Sequence, residues 1–205
     1  MPKISNEERD RRFEAQHQDI LQAAWRCFAR NTTGATTMEE VAREAQCTVA
    51  VLYLHFQTKD ELVRSVMLAS VDGFEALVRS IGQSEAGATR EGFVTGTLES
   101  AHDFGVRGDG INLFRLGVQS WGYAQSDVGL AEIISARYKG FIGIFTQLGR
   151  KRWGLNAKDA RDHAVLIETL LVGYIAMVAL QTDVTADEHI RAYRQLSATV
   201  VPRDS

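Results

Sequence analysis

The stretch of sequence that decides the fold spans residues 19–63 and reads D-I-L-Q-A-A-W-R-C-F-A-R-N-T-T-G-A-T-T-M-E-E-V-A-R-E-A-Q-C-T-V-A-V-L-Y-L-H-F-Q-T-K-D-E-L-V. It predicts a helix, a short second helix, a tight turn and a short third helix that ends in Tyr53-Leu-His-Phe56, followed by a fourth helix. Two short helices joined by a tight turn are typical of the helix-turn-helix, whose later helix lies in the major groove of DNA. Such a motif predicts a protein that reads DNA.

Two threonine caps mark where short helices begin. In Thr37-Met-Glu-Glu40, the hydroxyl of the threonine and the carboxylate of the glutamate can satisfy free backbone amides, which predicts a capping box. Thr58-Lys-Asp-Glu61 repeats the pattern ahead of the fourth helix. Because the two caps lie close together, they predict short helices rather than one long helix.

Periodicity over the whole chain predicts an all-α protein. Only two of the 205 residues are proline, and apolar residues recur with helical spacing. The first helix is expected to begin near residues 6–8, to end at residues 31–34 and to bury Phe13, Ile20, Leu21, Ala24 and Phe28. Further helices are predicted at about residues 67–81, 89–104, 111–124, 127–151, 157–181 and 186–199. The predicted organisation is a three-helix helix-turn-helix domain at residues 1–66 and a second helical domain at residues 67–205.

Hydropathy and cysteine content indicate in which compartment of the cell the protein is expected. The longest uncharged apolar stretch, residues 170–180, is shorter than the roughly 20 residues that span a bilayer. The first residues lack the apolar segment of a signal peptide, so we expect a cytoplasmic protein without a membrane partner. Cys27 and Cys47 lack the spacing of a metal site and are expected to be buried thiols in a reducing compartment.

The predicted DNA-binding domain is not basic. Residues 1–64 contain nine Lys and Arg residues against ten Asp and Glu residues, and the whole chain has a net charge of −3. Attraction to phosphates must therefore come from the placement of a few groups rather than from bulk charge. A modest dependence of DNA affinity on salt follows.

Residues 19–63 resemble the N-terminal domain of the TetR family of bacterial transcriptional regulators. The resemblance lies in Ile20-Leu-x-Ala-Ala24 with Phe28, Thr36-Thr37, Val41-Ala42-x-x-Ala45 and Leu52-Tyr53-x-His55-Phe56-x-x-Lys59-x-x-Leu62. It implies a homodimer that binds operator DNA, with a C-terminal domain for effector binding and dimerisation, and most often a repressor. The chain departs from the family at Gln46, where glycine is usual because the turn needs a permissive backbone. It also departs at Ala50 and Val51, where glycine and threonine are common.

The family's geometry assigns roles to particular side chains. The candidate DNA-binding residues are Thr37, Arg43, Thr48, Val49, Ala50, Tyr53, His55 and Lys59. Thr37, at a helix start, and Lys59, Tyr53 and His55 are expected to contact phosphates, with Arg43 as a weaker candidate. Base edges then fall to the short residues Thr48, Val49 and Ala50, with Val51 as a further candidate. Such residues favour contacts with thymine methyl groups and recognition of DNA shape over bidentate hydrogen bonds.

A dimer face is required because one recognition helix covers only a few base pairs. The helix predicted at residues 157–181 is apolar nearly all round after Val165, which indicates burial against its own domain and a partner. In the resembled family, this helix and the preceding one form a four-helix interface. The candidate interface residues are Gly140, Gly143, Ile144, Leu148, Ile167, Leu170, Leu171 and Tyr174.

The resemblance also implies an effector cavity in the second domain. Its candidate lining residues are those too polar or too bulky for plain filler in apolar helices: Phe93, His102, Phe114, Arg115, Gln119, Trp121, Tyr123, Tyr138, Glu168 and Tyr174. Apolar walls with a few convergent polar groups are the usual form of a ligand site, so an apolar or aromatic small molecule is the expected effector.

The sequence contains weaker evidence for other classes of function. Glu99-x-x-His102-Asp103 has the spacing used in di-iron bundles, but a second copy and two further glutamates are missing, so no metal, cofactor or catalytic activity is expected. Two alternatives stay open: a DNA-binding regulator without an effector, and a helical dimer that binds a small molecule but not DNA. The intact pattern at residues 37–59 favours DNA binding over the latter.

Overall fold

The computed structural model describes residues 5–105, 114–180 and 182–200, and all the regular structure within these ranges is helical, as predicted. The chain divides into two compact units, Met1–Ala69 and Ser70–Ser205. Each unit has buried apolar residues of its own.

The first unit contains helices α1 (Asn6–Arg30), α2 (Met38–Glu44) and α3 (Val49–His55). Leu52 and Phe56 are buried as predicted, together with Ile20, Ala24 and Phe28 of α1. Three expectations for this unit were wrong. Leu21 is only half-buried. Phe13 is 51% exposed, because it lies toward the N-terminal end of α1. Cys47 is only half-buried, whereas the thiol of Cys27 is buried.

Helix α4 (Lys59–Gln83) is one continuous helix of 25 residues, which corrects the expected break near residue 66. Leu62, Val63, Val66 and Met67 are all buried. Their spacing of one, three and one residues continues a single apolar stripe through the predicted boundary. With no proline or glycine between residues 59 and 72, nothing in the sequence ends the helix.

The second unit is a helical bundle built on α8. It comprises a short 3-10 turn at Ala86–Ala88 and helices α5 (Arg90–Gly105), α6 (Phe114–Ala124), α7 (Val128–Arg152), α8 (Ala157–Ala179) and α9 (Ala186–Val200). Helix α8 packs along α7 and also touches α5, α6 and α9. By length and composition alone α8 could span a membrane; in the structure its inner face, which includes His163 and Glu168, lies in the core of the unit.

The end of α7 holds the chain between α4 and α5. The guanidinium of Arg152 donates to the carbonyls of Gly82 at 2.6 Å and Ser84 at 3.0 Å, and the indole N–H of Trp153 donates to the carbonyl of Gly87 at 3.1 Å. Gly87 is required here, because an added Cβ would lie 2.5 Å from the carbonyl oxygen of Ile81. This junction is therefore fixed by side chains far along the sequence.

Candidate DNA-binding interface

The start of α2 is a complete capping box. The backbone amide of Glu40 donates to the Thr37 hydroxyl at 3.2 Å, and the Glu40 carboxylate accepts from the amide of Thr37 at 2.8 Å. Thr37 is exposed, and its hydroxyl hydrogen is not used by this arrangement. The cap therefore leaves one O–H donor and the positive end of the helix dipole available to an anion.

The turn between α2 and α3 is a Schellman motif with glutamine at its left-handed position. The amide of Cys47 donates to the carbonyl of Ala42 at 2.9 Å, and the amide of Gln46 donates to the carbonyl of Arg43 at 3.2 Å. Gln46 has φ +54°, and it is the one non-glycine residue with positive φ in the described part of the chain. The turn that the sequence predicts thus forms, but with a residue that is strained in this conformation.

Helix α3 exposes a small face made of apolar and aromatic side chains. Thr48 caps the helix by accepting the amide of Val51 at 3.2 Å. Ala50, Tyr53 and Leu54 are all exposed, Leu54 by 74%, and their spacing of three and one residues places them on one side of the helix. Val49 is half-buried. Leu54 was missed in the sequence, although its place two residues from both Leu52 and Phe56 sets it off their buried face.

His55 is packed against α1. Its ring stacks on Phe13 with the centroids 4.0 Å apart, and its Nε2 atom lies 3.2 Å from the side-chain oxygen of Gln16. Burial, with the nearby His17, lowers the pKa of His55, which favours the neutral imidazole. The Nδ1 atom is buried and has no hydrogen-bond partner among the described residues. The ring therefore orients the end of α3 on α1, and its predicted phosphate contact stays untested.

Lys59 links the start of α4 to the turn before α2. Its ammonium donates to the carbonyl of Gly34 at 3.2 Å, which leaves two of its three N–H donors for other acceptors. The cap ahead of it is a variant of the predicted box. The Thr58 hydroxyl accepts from the amide of Glu61 at 3.1 Å, but the Glu61 carboxylate accepts from the amide of Gln57 instead of that of Thr58.

Several basic side chains of the first unit are neutralised within it. Arg26 and Arg30 both donate to the carboxylate of Glu44, at 2.7 and 2.9 Å, and these hydrogen bonds lower the pKa of Glu44. Arg12 pairs with Glu8 at 2.9 Å on the outside of α1. Arg43, by contrast, is exposed. Two arginines of this near-neutral unit are therefore used to join α1 to α2.

Several of the predicted effector residues of the second unit lie in or against one hydrophobic core, and two pairs of them are hydrogen-bonded. Around Tyr174, the phenol oxygen lies 2.6 Å from Nδ1 of His102, and the ring of Phe114 packs edge-on at 6.0 Å. Around Tyr138, the indole N–H of Trp121 donates to the phenol oxygen at 2.7 Å, and Glu168 lies near enough for its charge to raise the Tyr138 pKa, after burial.

Phe93 lies in the same core and contacts aromatic residues that the sequence did not predict for this site. Its ring centroid lies 5.5 Å from that of Phe145 and 5.7 Å from that of Trp153. Next to Trp153, the fully buried His163 lies 2.5 Å from the hydroxyl of Tyr193. Burial, with the charge of Arg90, lowers the pKa of His163 to about 4. Of the other candidates, Arg115, Gln119 and Tyr123 are half-buried on α6.

The predicted dimer residues divide by burial. Ile144, Ile167, Leu171 and Tyr174 lie in the core of their own unit. Gly140 and Gly143 are exposed on α7, while Leu148 and Leu170 are half-buried. A side chain that is buried in its own subunit offers no surface to a partner. The exposed members are therefore the ones that a dimer face can use.

The comparisons with known proteins agree with this geometry. Residues 20–66 match the family model described as bacterial regulatory proteins, tetR family. A comparison with curated proteins found no match. Among solved structures, a TetR transcriptional regulator from Legionella pneumophila is similar with a TM-score of 0.69 and 16% identity, over 96% of this chain and 99% of that one.

Two further structures share the fold over most of their length. A putative transcriptional regulator from Pseudomonas aeruginosa PAO1 has a TM-score of 0.70 and 18% identity, over 91% of this chain and 90% of that one. A putative regulator from Saccharomonospora viridis, solved in complex with choline, has a TM-score of 0.70 and 15% identity, over 89% and 95%. The match of residues 20–66 to the family model identifies the helices of the first unit as a TetR-family domain, and the similarity to these structures shows that the chain shares their fold.

Proposed function

We propose that the protein is a cytoplasmic, non-catalytic repressor that binds a pseudo-palindromic operator as a homodimer and releases it when a small molecule binds the second unit. The observation that supports DNA reading most directly is the exposed face of Ala50, Tyr53 and Leu54 on α3, which follows the turn after the capped α2. All three neighbouring exposed side chains, and not Leu54 alone, support DNA reading, because the second short helix of a helix-turn-helix contacts bases.

Contacts with DNA divide between phosphates and bases. Thr37 offers its O–H and the start of α2, Lys59 offers two N–H donors, and the Tyr53 hydroxyl and the Arg43 guanidinium extend from exposed positions; these groups fix the register on the phosphates. Thr48, Val49, Ala50 and Leu54 face base edges. Because short and apolar residues recognise thymine methyl groups, the operator is expected to be rich in thymine at the contacted positions.

The dimer is proposed to form through the outer faces of α7 and α8. On α7, the exposed residues Ala136, Gly140 and Gly143 follow one another at four and three residues, and on α8 Val165 and Met177 are exposed apolar residues. A Cβ added at Gly140 or Gly143 would meet no atom within 4 Å in the subunit. Small residues that the subunit itself does not need allow a second copy to approach closely.

Substitution of Gly143 by glutamate tests this dimer. The side chain has room in the subunit, so folding should be retained, while a charge at the centre of an apolar interface should separate the copies. Sedimentation equilibrium at about 10 μM should show a wild-type dimer and a variant monomer, since loss of several kcal/mol shifts Kd by orders of magnitude. Gly73→Glu is the matched control, because Gly73 is exposed on α4 and equally free of neighbours. A wild-type monomer would contradict the proposal.

Selection of bound fragments from genomic DNA tests the function as a whole. Enrichment of one or a few pseudo-palindromic sites, with loss of binding in Gly143→Glu, is the expected result. Genes next to the selected sites would then indicate the class of effector. Retention of random fragments without enrichment would contradict a role as a sequence-specific regulator.

A further inference from the structure

Glu168 is a buried carboxylate with one oxygen atom that has no hydrogen-bond partner in the described part of the chain. It lies in the middle of α8, the central helix of the second unit, and only 8% of its surface is exposed. The atom without a partner, Oε2, is itself buried. Burying an ionised carboxylate costs several kcal/mol unless a positive charge or donors accompany it. A residue of this kind therefore needs an explanation beyond packing.

The charge of this carboxylate acts on one of two aromatic side chains that are hydrogen-bonded to each other. Burial, with the charge of Glu168, raises the pKa of Tyr138 of α7, and Tyr138 accepts a hydrogen bond from Trp121 of α6 at 2.7 Å. The phenol therefore keeps its own O–H as a donor. Both rings are half-buried. The buried ring of Phe141 packs edge-on against Tyr138, with the centroids 6.1 Å apart.

We infer that Trp121, Tyr138 and Glu168 form a binding site for a small organic cation, a quaternary ammonium ion or a protonated amine, with the Glu168 carboxylate as its counter-ion. The faces of tryptophan and tyrosine rings attract cations, and the attraction increases when the site excludes water. The cation supplies the positive charge that the buried carboxylate of Glu168 lacks. The sequence predicts an apolar or aromatic effector; the buried carboxylate adds a positive charge to that description.

Burial supports the same assignment. Desolvation raises the pKa of Glu168 to about 7, so the carboxylate is poorly stabilised when the site is empty. A bound cation removes this penalty, so the site should bind a cation more tightly than an uncharged molecule of the same shape. The inference rests on the proposed function only where it makes the cation an effector, since binding itself does not require DNA.

Matched probes test the site in the full-length protein. Isothermal titration would compare tetramethylammonium, choline and phenyltrimethylammonium with 3,3-dimethylbutan-1-ol, the uncharged carbon analogue of choline. At least one cation should bind with Kd below about 10 mM and about tenfold more tightly than the neutral analogue. Its affinity should fall about tenfold or more in Glu168→Gln, which keeps the shape and removes the charge. Glu132→Gln, an exposed residue of α7, should leave the affinity unchanged.

Second readouts separate loss of the site from loss of the fold. Glu168→Gln should keep the circular dichroism spectrum of the wild type. Trp121→Leu should also keep that spectrum and should lower the affinity for the cation. Failure of every cation to bind, equal binding of the neutral analogue, or unchanged affinity in Glu168→Gln would overturn the inference.

Fluorescence anisotropy on the selected operator distinguishes this failure from that of the proposed function. Operator binding without any cation binding overturns the cation site and leaves the regulator intact. Cation binding by a protein that selects no DNA upholds the site and overturns the regulator. Release of the operator by the cation, absent in Glu168→Gln, supports both.

Discussion

The two units of the protein surround a sheltered carboxylate in opposite ways. In the first unit, Glu44 is held by two arginines, and Thr37, Thr48 and Thr58 each accept a backbone amide three residues on. In the second unit, Oε2 of the buried Glu168 lacks a partner among the described residues. Buried side-chain atoms without a partner occur in the described parts of both units, as at His55 and Thr97, but the carboxylates differ. A carboxylate that is satisfied locally helps to fix a surface, whereas an unsatisfied one is suited to bind a group that completes it.

The largest loss of stability is expected from a substitution in the core of the first unit. Phe56→Ala should lower the free energy of unfolding by about 3–5 kcal/mol, because a fully buried aromatic ring leaves a cavity. Leu54→Ala is the matched control, only two residues away but exposed, and should change stability by no more than about 0.5 kcal/mol. Urea denaturation followed by circular dichroism measures both. Equal losses in the two variants would show that the exposed face of α3 also packs within the subunit.

Next in size is a pH-dependent effect at Glu168. Because its folded pKa is raised to about 7 from 4.5, the unfolded state loses its proton first, and wild-type stability should fall as pH rises between about 4.5 and 7. Glu168→Gln does not titrate. The difference between the two free energies of unfolding should therefore change by up to about 3 kcal/mol across this range. His163 titrates in both proteins, so its contribution, of opposite sign, cancels in the difference. A constant difference from pH 4 to 8 would contradict the buried, unpartnered carboxylate.

Smaller changes in stability are expected at two residues with left-handed backbone, one in each unit. Gln46 has φ +54° and Gly154, after α7, has φ +67°. Gln46→Gly should stabilise the protein by about 1 kcal/mol, since it removes strain, and Gly154→Ala should destabilise it by about the same amount. A Cβ at Gly154 would meet no atom within 4 Å, so the backbone alone decides the second effect. Thermal unfolding measures both, and destabilisation by Gln46→Gly would show that the glutamine side chain contributes more than its strain costs.

The contrast between the units also explains what the sequence could predict. The capping boxes, the buried Leu52 and Phe56 and the tight turn depend on residues within a few positions, so local pattern was sufficient. The pairing of His163 with Tyr193 joins residues 30 apart, and that of Trp121 with Tyr138 joins residues 17 apart on different helices. No local spacing encodes such contacts. The cap at Thr58 predicts where α4 begins but not where it ends, so the full length of α4 could not be predicted from it.

The packing of His55 against α1 could not be predicted from the motif for the same reason. The position of His55 in the sequence predicts a phosphate contact, but its surroundings depend on Phe13 and Gln16, some forty residues earlier. Composition predicted correctly that the first unit is nearly neutral, yet only the structure shows that Glu44 is the residue that occupies two arginines.

If the nearly neutral first unit reads DNA through the small apolar face of α3, replacement of thymine by uracil in the selected operator should weaken binding. Uracil removes only the methyl group, so a Kd measured by fluorescence anisotropy reports the methyl contacts alone. Affinity should fall at two or more thymine positions in each half-site, by roughly 1–3 kcal/mol in sum, and the loss should shrink in Leu54→Ala. Equal affinity for the thymine and uracil operators would contradict the claim.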